Sequence, residues 1–285
     1  MGVKKLAVWA FGGLFFTLGT MQAQTCSHCA EWNLAQQPFK VYGNTFYVGP
    51  HGLSAILITS PLGHVLIDGA LAESADQIEA NIRALGFRVE DIKLILSSHV
   101  HYDHAGGIAA LARRSGARVV ASPWSAEVLK SGKVASDDPQ FGDIVGIAKV
   151  SRVGTLADGE TLRVGPLALT AHLTPGHTAG GTSWTWSSCE QDHCLQMVYA
   201  DSISAVGPAG YRFSGHPEVL AQFAKSFAWL DTVPCDVLLT AHPDASGLWE
   251  RVGYPVKAQP GACRKLAQDG REGLKERLEK EAKSR

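Results

Sequence analysis

The sequence predicts an α/β fold in which two mixed β-sheets pack face to face with helices on their outer surfaces, an αβ/βα sandwich. Three observations carry that expectation. Short Val/Ile/Leu-rich runs alternate with turn residues, helical periodicities follow groups of such runs, and the second half of the chain repeats the plan of the first. Several of the runs end on histidines, which gives the predicted fold a chemical focus.

Taken in order, residues 39–43, 45–49, 53–59 and 64–68 read as strands of an antiparallel meander. Gly43-Asn44, Gly49-Pro50 and Pro61-Leu62-Gly63 supply the turns. Residues 73–85 carry Ile78, Ile82 and Leu85 at helical spacing and stop at Gly86. A strand over 93–97 leads to a histidine-rich loop, and a helix opens at Ala105. Another strand (118–121) and a helix from Pro123 follow. Residues 131–147, with Gly132, Asp137-Asp138-Pro139 and Gly142, show little periodicity, as expected of an irregular loop that either walls a cleft or simply connects. The second half offers strands near 148–153, 160–164, 167–173, 182–188 and 195–200, a helix over 217–230, a strand over 236–240 and a Lys/Glu-rich terminal helix. The charge run of that last helix reads as a solvated face.

Composition bounds the function. The 285 residues are 45% hydrophobic and 19% charged, which suits a sizeable core. A formal net charge of -1 gives no electrostatic case for a nucleic-acid partner. Lys4 and Lys5 precede an apolar run over 6–18, and Ala23 stands before a plausible cut. Residues 1–23 therefore read as a signal peptide and 24–285 as the exported domain. The run is short of the ~20 residues a membrane span requires. The expectation is a periplasmic monomer without a membrane anchor after cleavage. Export permits disulfides, and the six cysteines are an even number. Cys189 and Cys194 flank a polar turn and predict a hairpin disulfide, leaving Cys235 and Cys263 to tie a late strand to the terminal helix. Cys26 and Cys29 form a C-x-x-C that no second cysteine pair matches, so the expectation is a local disulfide or disorder, with a redox or zinc role the alternative.

The chemistry concentrates in Ser98-His99-Val100-His101-Tyr102-Asp103-His104, between a predicted strand and a predicted helix. Alternate residues of an extended segment share a side, so His99 and His101 can reach one ion together. Asp103 and His104, where the chain turns, can face a second. Imidazole nitrogen and carboxylate oxygen are zinc ligands, three or four to a site. Four on one loop are too many for one open site and too few for two. His177, in Thr174-Pro175-Gly176-His177-Thr178, and His242, in Ala241-His242-Pro243, also follow predicted strands and complete the count. The remaining histidines, His28, His51, His64, His172, His193 and His216, lack such a setting.

H-x-H-x-D-H, then T-P-G-H-T, then a late strand-end histidine resembles the metallo-β-lactamase superfamily, from about Gln37 onward. Tyr199 to Ser204, Thr182 to Trp186, and Cys235 to Thr240 with His242-Pro243 look like its subclass B3. The resemblance implies one Zn2+ on His99, His101 and His177 and a second on Asp103, His104 and His242. It implies that Ser202 and Ser204 contact the substrate carboxylate, with Gln140 in the same cleft, and that Asp68 braces the metal loop. It leaves open whether Asp201 touches metal, as the matching Asp does in glyoxalase II-like thioesterases. The implied activity is hydrolysis of the β-lactam amide of penicillins, cephalosporins and carbapenems by a hydroxide held between the ions, with Asp103 orienting it. The rivals are a thioesterase or lactonase on the same fold and a non-catalytic periplasmic zinc-binding protein.

Overall fold

Side-chain alternation along the strands decides the layering. In the computed structural model, Ile56, Ile58, Val65, Ile67, Leu94 and Leu96 point to one side of the first sheet, while Leu57, Leu66 and Ile95 point to the other. Both sets are fully buried, so this sheet is covered on both faces. The structure describes residues 1–2, 26–253 and 256–284; the expected signal peptide therefore lies, beyond Gly2, outside the described residues.

The first sheet runs β1 (Phe39–Tyr42), β2 (Thr45–Tyr47), β3 (Ile56–Ile58), β4 (His64–Ile67), β5 (Ile92–Leu96), β6 (Arg118–Ala121) and β7 (Val153–Thr155), neighbours in that order. Pairing is antiparallel up to β4 and parallel from β4 to β7. The second sheet contains β8 (Thr161–Val164), β9 (Leu167–Leu173), β10 (Thr182–Glu190), β11 (His193–Ala200) and β12 (Val237–Thr240), in the order β12-β11-β10-β9-β8. Within it only β11 and β12 are parallel. Trp184, Trp186, Met197 and Tyr199 of this sheet meet the first sheet in a shared core.

Helices cover the outside, as the sequence predicts. Helix α1 (Cys29–Trp32) is a single turn near the start of the described chain. Helices α2 (Ser74–Ala84), α4 (Ile108–Ser115) and α5 (Pro123–Ser131) bury Ile78, Ile82, Ile108, Leu111 and Leu129 against the first sheet, and the short α3 (Tyr102–Ala105) carries part of the histidine loop. On the second sheet, α6 (Pro217–Thr232) and α7 (Ala262–Lys283) pack Phe223, Phe227, Leu230 and Leu266 over Val198, Ala200 and Leu238. Ser122 caps α5 by accepting from the Ser125 N–H, with Pro123 in the first helical position. Among the described residues, no helix is long and apolar enough to cross a membrane.

Two expectations need correction. The strand expected over 148–153 begins only at Val153, and it joins β6 in the first sheet rather than opening the second. Val150 instead donates its N–H to the Leu129 carbonyl at 2.9 Å and buries its side chain on the helical side. The terminal helix is not uniformly solvated either. Glu281 is buried, and its carboxylate accepts from the backbone N–H groups of Phe213 and Ser214, both at 2.9 Å. The disulfides Cys189–Cys194 and Cys235–Cys263 form as expected, and Cys26–Cys29 closes locally.

Candidate metal centre

All the strand ends that carry the predicted ligands open on one rim. β5 delivers His99 and His101, β9 delivers His177, and β12 delivers His242. The Thr182 N–H donates to the Ser98 carbonyl (2.8 Å) and Trp184 Nε1 to the Ser97 carbonyl (3.2 Å), which fastens the two sheets together at this edge. Asp68, just past β4, holds the loop from beneath. It accepts from Ser98 N (2.7 Å), Ser98 Oγ (2.6 Å) and Tyr199 OH (2.7 Å). Its φ of 62° is the left-handed conformation that Asp tolerates better than most residues. Burial raises its pKa, opposed by His104 and by these hydrogen bonds.

His99, His101 and His177 converge with donor atoms within 4.8 Å of one another, and all three are buried. Each ring is held from behind. His99 Nδ1 donates to Asp201 Oδ1 (2.7 Å), His101 Nε2 to Asp138 Oδ2 (3.0 Å), and His177 Nδ1 to the Ser204 carbonyl (2.8 Å). Such outer partners fix the tautomer and aim the other nitrogen inward. Burial first, and neighbouring imidazoles second, hold His99 far below the usual histidine range and lower His177 to about 3. Both are therefore neutral lone-pair donors at pH 7, the form a metal takes.

Asp103, His104 and His242 form the second group. His104 Nε2 lies 3.1 Å from Asp103 Oδ2 and 3.2 Å from His242 Nε2, and His242 Nε2 lies 3.4 Å from Asp103 Oδ2. Donors about 2.1 Å from a tetrahedral ion stand about 3.4 Å apart, so these spacings match the edges of a zinc polyhedron. Burial alone would raise the Asp103 pKa. Electrostatic attraction to the neighbouring His104, with hydrogen bonds from His104 and His242, outweighs it and holds the carboxyl well below its usual range. His99 also stands within reach of Asp103 and His104, so the two groups adjoin. Its buried Nε2, aimed between them, has no hydrogen-bond partner among the described residues. Orphaned buried nitrogen of this kind fits a metal-binding role.

Beside His242 a cleft of about 540 Å³ opens, lined by Ser202, Ser204, Val206, Asp244 and Asp269 among others. Gln140 is not on that wall. It is buried against the first group instead, with Nε2 3.4 Å from both His101 Nδ1 and His177 Nε2. A larger cleft of about 860 Å³ around Leu62, Phe87 and Arg88 lies at the far end of β4, away from the histidines.

A model of the metallo-beta-lactamase superfamily matches residues 48–187. The structure superposes on Rm3 metallo-beta-lactamase with a TM-score of 0.88 and 52% identity, over 90% of this chain and 99% of that one. The chain belongs to the metallo-beta-lactamase superfamily. MEM-A1, described as a subclass B3 metallo-beta-lactamase from a soil metagenome library, gives 0.87 and 48%, over 89% of this chain and 100% of that one. MIM-1 from Novosphingobium pentaromativorans gives 0.86 and 41%, over 89% and 93%. Among curated superfamily relatives, a hydroxyacylglutathione hydrolase of Anaeromyxobacter dehalogenans is 31% identical over 165 residues, 58% of this chain. The chain spans about half of that relative's length, 53%.

Asp138, which meets His101, escapes a reading of the sequence, and the sequence leaves the role of Asp201 open. Asp138 sits in the irregular loop, where only the pair Asp137-Asp138 hints at it. Asp201 meets His99 through the ring nitrogen facing away from the orphaned Nε2, and its own Oδ2 is likewise buried without a hydrogen-bond partner among the described residues. Gly181 makes room for it: a Cβ there would lie 2.4 Å from Asp201 Oδ2. Burial, then repulsion from Asp68, pushes the Asp201 carboxyl well above the ordinary carboxylate range.

Proposed function

We propose that this chain is an exported β-lactamase that opens the amide bond of penicillins, cephalosporins and carbapenems with two Zn2+ ions. His99, His101 and His177 would hold one ion, and Asp103, His104 and His242 the other. The leader over 1–23 would be removed on export, leaving a monomeric periplasmic domain. One observation carries this reading: likeness at 52% identity to a metallo-beta-lactamase along 99% of that protein. The hydroxyacylglutathione hydrolase likeness is lower, 31%, and partial.

Zinc supplies Lewis-acid polarisation and a water acidified towards neutral pH. The protein does the rest. Neutral His99 and His177, aimed by Asp201 and the Ser204 carbonyl, present lone pairs without reorganisation. Asp103, ionised at neutral pH, accepts the hydrogen bond that orients the attacking water. Water adds to the lactam carbonyl carbon, the C–N bond breaks, and the ring nitrogen takes a proton. Ser202 and Ser204, on the cleft wall, would donate to the substrate carboxylate, and Gln140 would close the side next to His101. No serine nucleophile is needed, and Ser202 lacks the flanking glycines of a G-x-S-x-G elbow.

The experiment compares purified protein on a carbapenem, a cephalosporin and a hydroxyacyl-glutathione thioester. The β-lactams should turn over with the larger kcat/KM; faster thioester turnover would reverse the assignment.

A further inference from the structure

We propose that Trp32, locked in place by the Cys26–Cys29 disulfide, is a positioning residue that sets the affinity of the Asp103–His104–His242 group for its metal ion. The inference rests on the two-ion reading above and extends it to a segment that reading does not use.

His242 is held differently from the histidines of the first group. His99, His101 and His177 each rest on a hydrogen-bonded oxygen behind the ring. The His242 side chain is 32% exposed, and its recorded polar contacts run inward, to Asp103 and His104. On its outer side the ring meets Trp32, with centroids 5.3 Å apart and planes inclined at 56°. An aromatic wall thus takes the place that an oxygen acceptor fills for the other three. Without it, a half-exposed imidazole on the loop after β12 is free to leave the rotamer that faces Asp103.

Trp32 is itself fixed from several sides. Its N–H donates to the His28 carbonyl (2.8 Å) and its carbonyl accepts from Gly52 N (3.0 Å). The Gly52 backbone approaches so closely that a Cβ there would lie 2.6 Å from Trp32 Cα. The next residue, Asn33, accepts from Ser74 Oγ at 2.6 Å. Helix α1 has only four residues, far too few to hold its shape alone. The Cys26–Cys29 disulfide closes the residues that lead into that helix and ties its first residue, Cys29, to Cys26. Tyr102 OH donates to Cys26 Sγ at 3.4 Å, and Tyr102 immediately precedes Asp103. The closed turn therefore contacts the second group at two points, through Trp32 on His242 and through Tyr102 beside Asp103.

The test uses the full exported protein and three variants: Trp32→Ala, Trp32→Phe, and the double change Cys26→Ser with Cys29→Ser. Each is stripped of metal and titrated with Zn2+ against a chromophoric chelator, then with Co2+ while the visible spectrum is followed. Trp32→Ala should weaken the second ion by about 10- to 100-fold, the range for lost support of a metal ligand, and leave the first within twofold. Trp32→Phe should restore most of the loss. The double serine variant should weaken the same ion and no other. Unchanged binding of both ions in Trp32→Ala, or equal weakening of both, would overturn the proposal, as would wild-type affinity in the double serine variant. Two ions in the unaltered protein with no effect of Trp32→Ala removes this inference alone. A single ion in the unaltered protein removes the two-ion reading with it.

Discussion

Asp201→Asn replaces the carboxylate behind His99 with an amide of nearly the same shape. The His99–Asp201 contact is 2.7 Å long, and neither side chain has any exposure, so water cannot take over the lost charge. Hydrogen bonds to a charged partner contribute roughly 1.5–3 kcal/mol. Carboxylates behind metal-binding histidines typically account for 10- to 100-fold in affinity, about 1.4–2.7 kcal/mol. The two estimates agree, and first-ion affinity should fall by that factor. Stability should move the other way. Burial and Asp68 push the Asp201 carboxyl well above its normal range, so its charge burdens the metal-free fold, and the neutral amide relieves that burden. Chelator competition reads the affinity, and thermal melting in excess chelator reads the metal-free fold, which should melt no lower than the unaltered protein. Affinity within twofold of the unaltered protein would refute the reasoning. A melting temperature that dropped alongside affinity would make Asp201 a scaffold residue instead.

Three further outcomes follow from the same geometry. His177→Ala should lower kcat by more than about 10³-fold by removing a ligand of the first ion, whereas His172→Ala, which loses a Thr185 contact and a tilted ring contact with Trp229, should stay within a fewfold; equal effects would overturn the ligand assignment. Gly181→Ala forces a Cβ to 2.4 Å from Asp201 Oδ2 and 2.6 Å from the Thr174 carbonyl, and should destabilise by about 1–3 kcal/mol in denaturant titration while weakening metal binding. Burial would raise the Glu281 pKa, but the N–H groups of Ser214 and Phe213 and the Arg277 guanidinium hold it at about 2. A depressed carboxyl stabilises the fold above its unfolded pKa of about 4.3 and loses that contribution as pH falls towards 2. Glu281→Gln should therefore be less stable by about 2–3 kcal/mol at pH 7, with the gap closing below pH 4; a gap independent of pH would contradict this.

The layers and the grouping of the histidines were legible because they depend on local pattern. Alternation in Ile56-Leu57-Ile58 and Val65-Leu66-Ile67 reports a strand buried on both faces, and turn residues mark where each strand stops. His177 and His242 were joined to His99 by counting the ligands two ions need, and the structure brings His177 to His99 and His101 and His242 to His104. Long-range hydrogen bonds were not legible. Asp138 reaches His101 across 37 positions and Asp201 reaches His99 across 102, and nothing in the local pattern encodes either. The sheet that β7 joins is likewise a tertiary choice, made by pairing with β6 and by Val150 turning to the helices. Trp32 is the extreme case, since nothing in the pattern around it points to the His242 ring it meets.

The central claim is that these side chains hold metal and that the metal serves hydrolysis. Hydrolysis of a chromogenic cephalosporin, followed before chelation, after removal of metal and after stepwise return of Zn2+, tests it directly. The account predicts loss of turnover on chelation and recovery that tracks uptake of up to two equivalents per chain. Turnover that persists in the stripped protein would contradict it.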